Sequence, residues 1–188
     1  AVLAEALGRG PVLSPLLISA PLAALPIAWA GTDAQRDRWL PALAAGAAVG
    51  TMAAVEPGGA GAAAIAGGGT LAGTKLLVPW ADTADIVVVT TAAGLHLVEP
   101  ARGGFSASRH DDLEADPLYA VDLDGAMAEP LGSGGAAEQH AVLRRALDHA
   151  AVVHLAQAVG AGERALELSL AHARDRHQFG RPIGSFQA

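Results

Sequence analysis

The chain has 188 residues, 52% hydrophobic and 16% charged, with a formal net charge of −7 and no cysteine. Its size and apolar fraction suffice for a buried core and exclude a wholly disordered polypeptide. The acidic balance gives no general attraction to nucleic acid or an anionic membrane surface, and disulfides, thiolate catalysis and thiolate metal sites are excluded.

The start, AVLAEALGRG, carries Glu5 and lacks the basic region and long apolar core of a secretory signal. The longest mostly apolar run, Leu16 to Ala30, contains Pro21 and Pro26 and is too short for a membrane helix. We therefore expect a cytoplasmic protein with no membrane attachment. The missing initiator methionine and the helix-like start set the further expectation of a segment of something larger.

Val2 to Leu7 forms a short apolar helix ended by Gly8 and Gly10. Ser14 to Ala30 is a second helical region, interrupted or kinked at its prolines. Thr32 is an N-cap candidate with Gln35 at capping-box spacing, and the helix it opens presents Trp39, Leu40 and Leu43 before Gly46 ends it. From Gly50 to Leu131, glycine and proline separate short β-rich runs: Thr70 to Val78, Ile86 to Thr91, Leu95 to Val98 and Leu118 to Leu123. A small barrel or sandwich is the expected form. From Ala137 the helical period returns through Leu143, Leu147, Val153, Ala156, Gly160, Leu166 and Leu170, a rod of roughly 55 Å. So apolar a helix needs others around it, as in a bundle. Gly160 and Gly162 in its middle each cost about 1 kcal/mol against alanine, for which close helix crossing is the usual compensation. The expected organisation is N-terminal helices over 1–50, a β domain over 51–131, and the first part of a helical bundle over 132–188.

Few residues offer chemistry. No serine sits in a GxSxG elbow, and His149 and His154 are not accompanied by a HExxH-type pattern, so no metal site is expected. Asp111, Asp112, Glu114 and Asp116 read as a solvated acidic loop, and Gly58 to Gly61 as a turn lacking any nucleotide fingerprint. The tail differs. Arg176 sits at a helix C-terminus, where the dipole alone accounts for a cation. Yet the following loop also gathers Phe179, Arg181, Phe186 and Gln187. Arginine grips a pyrophosphate through parallel donors and an aromatic ring covers a flat heterocycle, so a dinucleotide contact is a candidate beside the structural explanation.

The closing stretch ARDRHQFGRPIGSFQA resembles the acyl-CoA dehydrogenase signature, in which an R-x-x-F-G core leads to a proline–isoleucine turn and F-Q. AVLAEALGRG, GTDAQRDRWLPALAAG, AVEPGG, LAGTKLLVPWADTADIVVV and GAGERALELSLAHARDR follow the family's order, so the resemblance covers essentially the whole chain. It implies a multidomain α+β fold: N-terminal helices, a central β-barrel or sandwich domain, and the start of a C-terminal four-helix bundle. It also implies FAD held between β domain and bundle, an acyl-CoA substrate dehydrogenated at its α and β carbons, and an electron-transfer flavoprotein as reoxidant. A role in fatty acid and lipid metabolism and a homo- or hetero-oligomer, dimer or tetramer, go with it.

Carried onto this chain, the family pattern is half intact. Arg176 matches the arginine that reaches the FAD pyrophosphate region of a neighbouring subunit, and Phe179 and Gln187 match contacts to the same cofactor. In the β domain the T/S-E-P-x-x-G-S-D segment reads VEPGGAGA, with Val55 for the hydroxyl residue, Gly61 for serine and Ala62 for aspartate; Glu56 and Pro57 remain. The G-x-K-x-W-I-T-N segment reads GTKLLVPW, keeping Gly73 and Lys75 but placing Leu77, Val78, Pro79 and Trp80 where the flavin would lie. Val55, Gly61, Val78 and Pro79 are thus the β-domain positions implied to meet the cofactor, with weakened hydrogen bonding. The family's base falls beyond this sequence or, in a minority, at Ala150, which cannot take a proton; no catalytic residue is assigned. The leading reading is FAD-dependent acyl-CoA dehydrogenation. The alternatives are a non-catalytic subunit completing a partner's FAD site and a structural homologue without activity.

Overall fold

The computed structural model describes residues 1–10, 12–58, 64–66, 68–111 and 116–186. It comprises two compact units, one formed by Leu13–Ala150 and the other by Ala1–Val12 with Ala151–Ala188. No described helix is long and apolar enough to cross a membrane.

The larger unit opens with helix α2 (Leu16–Ser19), a π-helical turn over Ala20–Ala24, and α3 (Leu25–Ala30). The interruption expected at Pro21 and Pro26 takes the form of this wider turn, which accommodates the missing amide donors without breaking the helix axis. Helix α4 (Asp33–Ala44) starts in the anticipated capping box: the Gln35 N–H donates to Thr32 Oγ1 at 3.2 Å, and the Thr32 N–H donates to Gln35 Oε1 at 3.0 Å.

Seven strands follow: β1 (Gly50–Ala53), β2 (Ala64–Ala66), β3 (Thr70–Pro79), β4 (Ile86–Thr91), β5 (Gly94–Val98), β6 (Phe105–Arg109) and β7 (Leu118–Pro130). They order as β1-β4-β5-β7-β3-β2, with β6 on the second edge of β7. Beyond β1 the chain bridges to β3, where the Leu76 N–H donates to the Val55 carbonyl at 2.8 Å. That bridge joins the two ends of the path β1-β4-β5-β7-β3, curling the sheet into the expected barrel. Strand β7 is its hub, pairing with β3 and β6 along its first part and with β5 at Ala128–Pro130.

Strand β4 shows why the IVVV run is unbroken. Val87 and Val89 join Leu71, Val78, Val98 and Val121 in one buried cluster, while Ile86 and Val88 join Leu22, Ile27, Trp39 and Leu97 in another. A strand buried on both faces has no polar side. The second cluster also takes Leu131, Ala146 and Ala150, the last two from helix α5 (Ala136–Asp175). Two glutamines pin the β7–α5 connection. Gln35 donates to the Pro130 carbonyl at 2.9 Å and accepts from the Gly132 N–H at 3.0 Å. Gln139 donates to the Leu131 carbonyl at 2.8 Å and accepts from the Leu95 N–H.

In the smaller unit, α1 (Val2–Gly8) packs on α5 at closest backbone approach. A Cβ on Gly160 would lie 1.9 Å from the Glu5 carbonyl oxygen, and one on Gly8 would lie 2.0 Å from that of Gln157. The glycine cost anticipated at position 160 is thus offset by a helix crossing that admits no side chain. Arg9 fastens the crossing to Glu163 at 2.9 Å and Glu167 at 2.5 Å. A short hairpin, β8 (His177–Gln178) and β9 (Arg181–Pro182), follows α5.

Candidate functional site

The β-domain positions singled out by sequence fall where β3 meets the extension of β1. Lys75 is fully buried there, and its three ammonium donors are all used, on the Glu56 carboxylate, the Thr90 carbonyl at 2.7 Å and Thr90 Oγ1 at 3.1 Å. Two of the residues that keep the family pattern, Glu56 and Lys75, therefore form an internal strut that ties the Val55–Pro57 segment to the sheet. Thr90, its third member, lies inside an apolar run and gave no sequence signal.

Between Lys75 and Val78 the register of β3 against β7 slips, and Leu77 adopts the left-handed region at φ 55. Its side chain is 51% exposed, as is Val55 to 45%. Val78 turns the other way and is wholly buried in the barrel, so only its backbone remains to meet a ligand. Pro79 has no N–H, and its carbonyl already accepts from Thr51 Oγ1 at 2.6 Å. Trp80, also left-handed at φ 54, encloses its indole Nε1 without a hydrogen-bond partner among the described residues. This face offers apolar surface where a flavin ring would require donors and acceptors around its heteroatoms. The described residues of this face do not supply them. Gly61 and Ala62 lie outside the described residues.

The tail residues belong to the smaller unit. The backbone reverses across Phe179–Gly180, whose φ angles of 50° and 81° are those of a type I′ hairpin turn. That conformation is unfavourable for phenylalanine, and the ring stands 93% exposed. Phe186 meets it edge-on at 6.1 Å between centroids, and the Arg181 guanidinium lies over Phe186 at 3.9 Å. Arg176 anchors the base of the hairpin through its backbone, accepting from the Ile183 N–H at 2.8 Å. Its exposed guanidinium has no ion-pair partner among the described residues. A groove of about 390 Å³ lies alongside, between Leu170, Ala173 and Arg174 of α5 and Pro182, Gly184 and Ser185. An arginine at the base of a hairpin that carries exposed rings suits an anionic diphosphate joined to a flat heterocycle. Gln187 is outside the described residues.

Ala150 is buried among apolar residues and has no proton-accepting side chain. His149 packs its ring against Trp29 at 5.1 Å and is engaged by the Arg145 carbonyl, a packing role. No group of three or more metal-binding side chains occurs among the described residues. The structure places Val55, Val78 and Pro79 in one compact unit and Arg176 and Phe179 in the other.

Two family profiles match: "Acyl-CoA dehydrogenase, N-terminal domain" over residues 1–47 and "Acyl-CoA dehydrogenase, C-terminal domain" over 140–188. The chain is 31% identical over 183 residues to Acyl-CoA dehydrogenase FadE28 of Mycobacterium tuberculosis, covering 96% of this chain and 52% of that protein. The ChsE4–ChsE5 complex from Mycobacterium tuberculosis superposes with a TM-score of 0.84 at 26% identity, over 98% of this chain and 52% of the other. A glutaryl-CoA dehydrogenase from Mycobacterium smegmatis in complex with FADH2 gives 0.78 at 27% identity, over 91% and 48%. The chain spans about half the length of the curated relatives it matches.

Proposed function

Because the chain belongs to the acyl-CoA dehydrogenase family, we propose that it serves a heteromeric acyl-CoA dehydrogenase as the subunit that completes a partner's FAD site. The observation that carries this reading is the contrast between its two half-sites. The hairpin presents Arg176, with no ion-pair partner among the described residues, and a bare Phe179, whereas the β3 bulge presents Leu77 beside the bridged, exposed Val55. The solved ChsE4–ChsE5 complex, built from two named components, supports such an arrangement.

FAD, when bound, supplies the hydride acceptor for α,β-dehydrogenation of an acyl-CoA thioester. This chain's part is to bind and orient. Arg176 would neutralise the diphosphate through its planar fork and Phe179 would cover the heterocycle, with Gln187 assigned to the same cofactor by the family pattern alone. An arginine serving another chain's cofactor requires at least a dimer. An acyl-CoA would be the substrate of the assembly and an electron-transfer flavoprotein its oxidant. No residue described here supplies the base.

The test is flavin absorbance per polypeptide, for the protein alone and with a co-expressed family member. The reading expects no flavin alone and one per heterodimer, with Arg176→Ala in this chain weakening retention by about ten- to a hundredfold. One flavin per chain in the isolated protein would instead establish a self-contained dehydrogenase, a second reading favoured by the intact Glu56–Lys75 strut.

A further inference from the structure

Away from both half-sites, the larger unit contains a cavity of about 440 Å³ between the β4–β5 turn, the start of β3 and the β7–α5 connection. Its walls are mostly carbon, from Leu71, Ala93, Ala128 and Pro130, with glycine backbone at Gly69, Gly132 and Gly134. No charged side chain lines it among the described residues.

One side chain gives this space a chemistry. His96 is 7% exposed and lines the cavity. Its Nδ1 lies 3.3 Å from Thr91 Oγ1. Thr91 spends its own proton on the Gly94 carbonyl at 3.0 Å, so Oγ1 accepts from the imidazole. The network therefore assigns the ring proton to Nδ1 and leaves a bare lone pair on Nε2. Burial lowers the His96 pKa from its ordinary value, which keeps the ring neutral. The fully enclosed side-chain polar atoms without a partner among the described residues are Trp80 Nε1 and His110 Nε2. His96 Nε2, also without a hydrogen-bond partner among the described residues, is not one of these enclosed atoms, and its ring lines the cavity. Gln139 cannot compete for a ligand. Its amide donates to Leu131 and Gly134 carbonyls, and its oxygen accepts from the Leu95 N–H.

We propose that this cavity binds a neutral, largely apolar molecule bearing a hydroxyl group, which donates its proton to His96 Nε2. The carbon walls take its apolar body by burial. A hydroxyl suits the polar end better than a ring N–H because its oxygen also accepts, and the Thr70 and Ser133 hydroxyls of the lining can donate to it. The uncharged lining disfavours carboxylates and phosphates, which would be desolvated without a counter-charge. The site uses none of the residues assigned to the flavin, so its test succeeds or fails independently of flavin content.

Diethyl pyrocarbonate acylates unprotonated imidazole nitrogen, and peptide mapping reads each histidine separately. In the unaltered protein, with any natural partner attached, His96 should react, while saturating 2-naphthol slows it about tenfold. Exposed His172 supplies the internal reference and should not change. The methyl ether 2-methoxynaphthalene keeps the rings but has no proton to donate, and should protect little. Equal protection by both compounds, protection by neither, or an unreactive His96 in the free protein would each overturn the proposal.

Discussion

Replacing Lys75 by methionine would leave the Glu56 carboxylate, whose side chain is 9% exposed, without its cation. Breaking a buried pair from one side costs about 3–5 kcal/mol, so K75M should lower the urea midpoint sharply, and adding Glu56→Gln should recover part of that loss. His96 makes a different prediction. Its folded pKa lies below the ordinary 6.5, so the unfolded chain takes up the proton more readily. Its contribution is complete above about pH 6.5 and is lost as pH falls towards the folded pKa. Unfolding free energy measured from about pH 7 to about pH 5 should therefore fall more steeply in the wild type than in His96→Gln. Both residues stood in plain view in the sequence, yet neither role did. Lys75 was legible only as a retained pattern position, because its partners Glu56 and Thr90 reach it through sheet pairing that no local spacing encodes.

Within α5, two glycines two residues apart should respond in opposite directions. A Cβ on Gly162 meets nothing within 4 Å, so Gly162→Ala should gain about 0.5–1 kcal/mol from helix propensity. Gly160→Ala has the same propensity gain but drives a methyl into the Glu5 carbonyl, and thermal unfolding should show a net loss. The hairpin allows a similar separation. Phe179→Asn suits the left-handed turn better, so stability should hold or rise, while flavin retention by the proposed heterodimer should drop. A parallel fall in both would mean that the ring serves packing alone. The helices were the readable elements, since their caps and 3.6-residue period are local. Strands β1, β2 and β6 escaped detection: GTMA and AIA are too short for a pattern, and FSASR buries no residue fully. The continuation of β7 from Leu123 to Pro130 was hidden by Gly125 and by charged residues facing outward.

For the molecule as a whole, the sequence announced the order of helices, barrel and long helix, and the family resemblance supplied the cofactor. What it could not announce was closure, because the Val55–Leu76 bridge and the three partners of β7 are decided by tertiary pairing. The two proposed half-sites were legible as intact and altered motifs; the left-handed Leu77 and the engaged Pro79 carbonyl at the altered one depend on tertiary pairing and were not. The position of β7 also sets an order of events during synthesis. Strands β3, β5 and β6 all wait for a partner that is translated after them, and the cluster around Ile27 waits longer still, for Leu131, Ala146 and Ala150. Such delayed, long-range pairing slows folding and keeps the IVVV strand uncovered on the nascent chain. A ribosome-bound chain halted before Leu118 should consequently be captured by chaperones, and one extended past Ala150 and clear of the exit tunnel should escape them.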